Sequence, residues 1–423
     1  MQSGIAKISL VVIVAGVVLV LSGLGYLIFL GRNSGVRDAK PVEEVADTES
    51  ADANLTAGQR QLRQQWQRNC QGSGAVALTH LPMDPEDFGP FVPYGLLAGA
   101  HVTPIDHVYF SPKSYNSPRD AYPVYAMGDG YIIEVQRRSI DVDTGATRAE
   151  EFRLTFQHTC TFFTYFDLVT ILSDEVYEAF PDLKTRDSAV GHMKVAGGQQ
   201  IGRIGGQTLD TAVYNLELTL KGFIHPELYD GEAWKIHTDE FTKYFSPPLQ
   251  EIINSRNPRQ AEPRDGKIDY DVDGKLIGNW FKEGTKGYID ESSPDRSYYW
   301  EEHLALVPDL YDPTMFWVSI GNWQGKAGQF AVKGNAPDPA TVDVSRGLIK
   351  YELVQNNYFD ANNRPWDNMS FTPSIRAEPS SREVLGVALF QLFQDRQLKA
   401  EFFPGKTAAQ VAGFTDQAWM YYR

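Results

Sequence analysis

Asp269-Tyr270-Asp271-Val272-Asp273-Gly274 sets three carboxylates on alternate positions ahead of a glycine, the spacing of the first half of a calcium-binding loop. The twelfth position of such a loop falls on Trp280, which offers no oxygen ligand. The stretch Lys267 to Phe281 is therefore read as a β-hairpin turning at Asp273-Gly274. Cys70 and Cys160 are the only cysteines, and they lack the Cys-x-x-Cys spacing of zinc or redox sites. Two readings stay open for them: a disulfide in an oxidising compartment, or two independent buried thiols.

A second set of residues is spread over three segments. The first runs Gly99-Ala100-His101-Val102-Thr103-Pro104-Ile105-Asp106, followed by His107 and then by Tyr122-Pro123-Val124-Tyr125-Ala126-Met127-Gly128-Asp129-Gly130-Tyr131-Ile132. The second is Leu154-Thr155-Phe156-Gln157-His158 with Thr164-Tyr165-Phe166-Asp167-Leu168. The third is Val195-Ala196-Gly197-Gly198-Gln199-Gln200-Ile201-Gly202-Arg203-Ile204-Gly205. In order and spacing, residues 95–220 resemble the lysostaphin-type (LytM-like) zinc endopeptidases of cell-wall metabolism.

That resemblance implies a β domain with hybrid-motif hairpins. It also implies a zinc held by a histidine, an aspartate and one histidine of a final His-x-His. Three protein ligands leave a fourth position for a water whose pKa the metal lowers. Carried over residue by residue, the first pair falls on His101 and Asp106, five apart instead of four, with His107 alongside. His158 takes a catalytic position, and the second catalytic histidine falls on Asp167. The final His-x-His falls on Val213 and Asn215, ahead of Glu217. Valine cannot bind zinc, so the expectation is a pseudoenzyme with no catalytic residue, no firm metal ligand and no cofactor. His101, Asp106, His107, His158, Asp167, Asn215 and Glu217 would then line a binding groove. The alternative is an active peptidase with displaced ligands, in which His101 and Asp106 hold zinc and His158 is catalytic.

These residues need a scaffold, and the pattern of the chain is mainly β. From Ile8 to Gly31 no side chain is charged, which predicts a transmembrane helix, with residues 1–32 as the anchor and 8–30 in the membrane. Residues 33–73 read as a flexible acidic tether ending in a short helix from Gln59 to Asn69, where Leu62 and Trp66 share a face. Residues 74–244 form the lysostaphin-like domain, with strands at Tyr131–Val135, Phe152–Phe156 and Tyr214–Leu218 and one helix from Leu172 to Phe180. A Pro-rich linker, 245–265, precedes a second domain at 266–423, expected to be a β-barrel or β-sandwich with strands at Phe316–Ile320, Leu348–Leu353 and Val384–Phe393. Gly278-Asn279-Trp280 is similar to the Gly-x-Trp of lipocalin-type barrels, which adds a third reading, a carrier of a small apolar ligand in that barrel.

The formal net charge is −15; residues 1–40 carry +3, which leaves −18 on the rest. So acidic a surface repels phosphate backbones, and nucleic acid is excluded as a partner. Charge bias around the anchor taken alone favours a cytoplasmic body. The wall-enzyme resemblance points the other way, to an extracytoplasmic body on a single-pass membrane protein. The expected partners are the membrane and an envelope protein or cell-surface polymer.

Overall fold

A computed structural model describes residues 55–140, 147–289 and 299–423. The predicted anchor at 8–30 lies outside the described residues. Among the described residues no helix is long and apolar enough to cross a membrane.

The chain enters through α1 (Ala57–Trp66), where Thr56 and Gln59 form a reciprocal capping box. Leu62 and Trp66, four apart as the pattern required, are buried in the first core. A seven-stranded antiparallel sheet then forms in the order β1 (Phe88–Val92), β2 (Val108–Pro112), β10 (Leu209–Asn215), β6 (Phe162–Val169), β5 (Thr147–Gln157), β4 (Gly130–Ile140), β8 (Ser188–Val195). A small sheet of β3 (Tyr122–Tyr125), β9 (Gln200–Ile204) and β7 (Ile171–Leu172) completes this half. Central β6 is buried at every position, so its sequence Phe-Phe-Thr-Tyr-Phe-Asp-Leu-Val does not alternate. The predicted helix at Leu172–Phe180 is α2 (Asp174–Ala179), capped by Ser173.

Two sequence expectations change here. Strand β10 stops at Asn215, where the side-chain Oδ1 accepts from Glu217 N at 3.1 Å and turns the chain out of the sheet. Residues 245–265 are no exposed linker: they carry α3 (Pro247–Ser255), and Phe245 and Ile253 belong to the first core.

The C-terminal half is a closed eight-stranded antiparallel barrel. Its strands are β11 (Gly278–Lys282), β12 (His303–Pro308), β13 (Phe316–Trp323), β14 (Lys326–Val332), β15 (Leu348–Asp360), β16 (Ile375–Leu392), β17 (Gln397–Pro404) and β18 (Trp419–Tyr422), each paired with the next, with β18 closing on β11. Closure removes both sheet edges, which decides barrel over sandwich. The interior is packed by Trp280, Leu304, Leu306, Val318, Tyr351 and Phe390.

The expected hairpin at 267–281 does not form. Asp273-Gly274 is a turn, but β11 pairs with β12 and β18 because barrel closure satisfies both of its edges. Asp271, offered by spacing as a calcium ligand, accepts instead from the backbone N–H groups of Asn279 at 2.7 Å and Ile224 at 3.4 Å.

The two halves pack broadly against each other. Phe281 and Tyr288 enter the first core beside Tyr229. Trp300 covers Ala100 and Val102, and Gln329 donates to the Gly99 carbonyl at 2.8 Å. The loop carrying His101 thus runs under the barrel wall.

Candidate functional site

Asp106 and His107 lead into β2 and are enclosed in the interior of the first half, where they are 2% and 1% exposed. Asp106 Oδ1 is 3.1 Å from Lys235 Nζ, and Oδ2 accepts from Trp234 Nε1 at 3.0 Å and from Tyr214 Oη at 3.4 Å. Lys235 sits on a short 3-10 turn (Lys235–His237), lies 3.4 Å from Glu232 Oε2 and stands over the Tyr288 ring. Burial alone would raise the Asp106 carboxyl; the Lys235 ammonium and His107 outweigh it and hold Asp106 well below the usual carboxylate range. The same attraction overrides burial and keeps Lys235 charged, above its ordinary value. Glu232, at the margin of the pair, is pushed up to about 7 by burial.

His107 pairs through Nε2 with Tyr109 Oη at 3.0 Å, and lies 3.6 Å from Asp210 Oδ2 and 3.7 Å, through Nδ1, from Asp106. Burial lowers its pKa, so the ring is neutral at pH 7. Burial, with Asp167 nearby, raises the Asp210 carboxyl well above its ordinary value. The His101 ring lies edge-on to His107, centroids 5.7 Å apart.

The remaining predicted site residues lie elsewhere. Asp167 on β6 is fully buried and clasped by Arg153 (2.6 Å) and Arg138 (3.2 Å), which outweigh burial and keep it ionised. It therefore neutralises two arginines and faces no groove. His158 Nδ1 donates to the Asp129 carbonyl at 2.7 Å, so its Nε2 must accept from Thr164 Oγ1 at 3.0 Å. Both nitrogens are thus engaged within the protein, and burial lowers the pKa of the ring. Val213 is buried, while Asn215 Nδ2 points to Asp239 and Tyr244, both at 3.5 Å. Exposed Glu217 accepts from Gly74 N and Thr161 Oγ1, each at 2.9 Å, beside the Cys70–Cys160 disulfide.

The structure thus joins His101, Asp106 and His107, with Asp167 next to them only through Asp210, and separates them from His158, Asn215 and Glu217. Asp106, His107 and Asp167, expected to line a groove, are enclosed because each is needed to balance buried charge or polarity. Lys235, Trp234, Glu232 and Tyr288, which complete the cluster, carry no signal in the sequence: they lie on irregular turns without periodicity. Among the described residues no group of three or more His, Cys, Asp or Glu side chains is arranged to hold a metal ion. The cluster is a desolvated ion pair with its hydrogen bonds supplied, a chemistry of cohesion. No protein-family model and no curated protein matches the chain.

Proposed function

We propose that this protein is a membrane-anchored, extracytoplasmic, non-catalytic binding or scaffold protein of the cell envelope, built on a lysostaphin-like domain that has lost its chemistry. The observation that carries the reading is the Asp106–Lys235 pair. Asp106 is the carboxylate the resemblance assigns to zinc, and here a lysine ammonium supplies the positive charge beside it. A divalent cation beside that ammonium would meet like-charge repulsion at a few ångströms in a poorly screened interior. Val213 in place of a histidine removes a further donor, and His158 has both nitrogens occupied.

The Cys70–Cys160 disulfide supports an oxidising compartment and so a body outside the cytoplasm. Anchorage rests on the uncharged run from Ile8 to Gly31. The closed barrel suits a carrier in outline, but Trp280, Tyr351 and Phe390 fill its centre, which favours a structural or docking role.

Metal analysis and a peptide-crosslink hydrolysis assay on the purified full chain test this together. The expected result is no stoichiometric zinc, no hydrolysis, and unchanged partner binding in His101→Ala and His158→Ala. Stoichiometric zinc with hydrolysis abolished by His101→Ala would replace the reading with a displaced-ligand peptidase.

A further inference from the structure

Helix α1 is fixed on its inner side. Leu62 and Trp66 enter the core, the Thr56 hydroxyl bonds to Asp230, and the Cys70–Cys160 disulfide ties the chain just beyond it. Its outer side is basic in a chain of net charge −15, because residues 57–69 contain three arginines and no acidic residue. Arg60, Arg63, Gln64, Gln67 and Arg68 follow helical spacing and, with Leu55, line a cavity of about 350 Å³.

The arginines are bonded only to neutral oxygens. Arg60 donates to the Leu55 carbonyl, Arg63 Nη2 to Leu216 O at 3.2 Å and Arg68 Nε to Gln64 O at 3.1 Å. Among the described residues none of the three makes an ion pair with a carboxylate. Arg63 Nε is buried without a hydrogen-bond partner. That N–H lies beneath the surface and does not face the cavity; what the cavity meets is the uncompensated positive charge of three guanidinium groups, and the acceptor such charge favours is an anionic oxygen.

We infer that this cavity is a phosphate-binding site. Three guanidinium forks and two amides offer more donors than the two oxygens of a carboxylate can accept, whereas a phosphate group presents three or four oxygens and more than one charge. The site is independent of the pseudoenzyme reading; the anchored reading bears only on where the phosphate comes from. Leu55 follows the end of the apolar run at Gly31 by 24 positions. On the anchored reading, so short a separation in sequence makes lipid headgroups one source of the phosphate. A lipid headgroup and a soluble phosphate compound share the required chemistry.

The test uses the full chain and follows amide hydrogen exchange of residues 57–69. One arm adds inorganic phosphate to protein in neutral-detergent micelles. The other compares bilayers of phosphatidylcholine with bilayers containing phosphatidic acid, whose headgroup is a phosphate monoester with three free oxygens. Phosphate should slow exchange in this segment, with the effect lost at high salt and the apparent affinity about tenfold weaker in Arg60→Gln/Arg68→Gln. Those two side chains are exposed, so that variant keeps the Arg63–Leu216 hydrogen bond and the fold. Protection in both arms assigns the site to lipid headgroups; protection by phosphate alone assigns it to a soluble compound. Absence of protection in both arms, or protection unchanged in the double variant, overturns the site.

Discussion

Lys235 Nζ stands 3.1 Å from Asp106 Oδ1 with both side chains at least 95% buried, so a full ion pair is enclosed in the interior of the first half, with Tyr288 from the second beside the ammonium. Such a pair repays its desolvation only when its remaining hydrogen bonds are supplied. Trp234 and Tyr214 supply them to the carboxylate, and Glu232 and the Tyr288 ring face the ammonium.

Removing one partner leaves the other charged and buried. Lys235→Met should therefore destabilise the fold by about 3–5 kcal/mol in denaturant unfolding. Asp106→Asn/Lys235→Met, which discharges both, should recover most of that loss. A double variant no more stable than the single one would mean the lysine acts by packing instead of charge.

Glu232 sets a pH dependence with a definite sign. Its folded pKa, about 7, lies above the unfolded value of 4.5. Between these limits the folded chain keeps a proton that the unfolded chain has released, so this residue's contribution to stability declines as pH rises from 4.5 to 7. The decline amounts to about 3 kcal/mol at most. Stability curves of wild type and Glu232→Gln should diverge across that window, the variant lacking this downward slope. Parallel curves would show that Glu232 stays ionised beside Lys235.

Much of the scaffold was legible because its signals are local. Leu62 and Trp66 mark the inner face of α1, and the runs at Tyr131–Val135 and Phe152–Phe156 lie in β4 and β5. Barrel closure was not, since pairing of β11 with β18 joins segments far apart in sequence. The site divides in the same way. The missing ligand at Val213 can be read from residue type, but the arrival of Lys235 beside Asp106 cannot. A lysine is presumed solvent-exposed, and only the folded chain shows it buried with a partner 129 positions away.

The disulfide joins Cys70 and Cys160 across 90 residues, tying α1 and its following turn to the start of β6. Cys70→Ser/Cys160→Ser should lower stability by about 2–5 kcal/mol. Wild type treated with a reductant should fall to the level of the variant in the same unfolding assay. Insensitivity of wild type to reduction would show that the bond does not form in the protein as produced.

Arg423 lies over the Trp280 ring, its guanidinium carbon 4.0 Å from the ring centroid. It also donates to the carbonyls of Ile277, Lys275 and, at 2.8 Å, Val272. These carbonyls belong to the segment entering β11, so one side chain holds that segment against the interior tryptophan. Arg423→Ala leaves three carbonyls without their donor and removes the cation from the ring face. Without those charge-assisted hydrogen bonds and the cation–π contact, the barrel should be destabilised by about 3 kcal/mol. Arg423→Lys keeps the charge but cannot fork to three acceptors while covering the ring, so it should recover less than half of that stability. Near-UV circular dichroism, to which Trp280 contributes as one of eight tryptophans, and denaturant unfolding provide the two readouts. If Arg423→Lys matches wild type in both, charge alone is sufficient and the guanidinium fork is incidental.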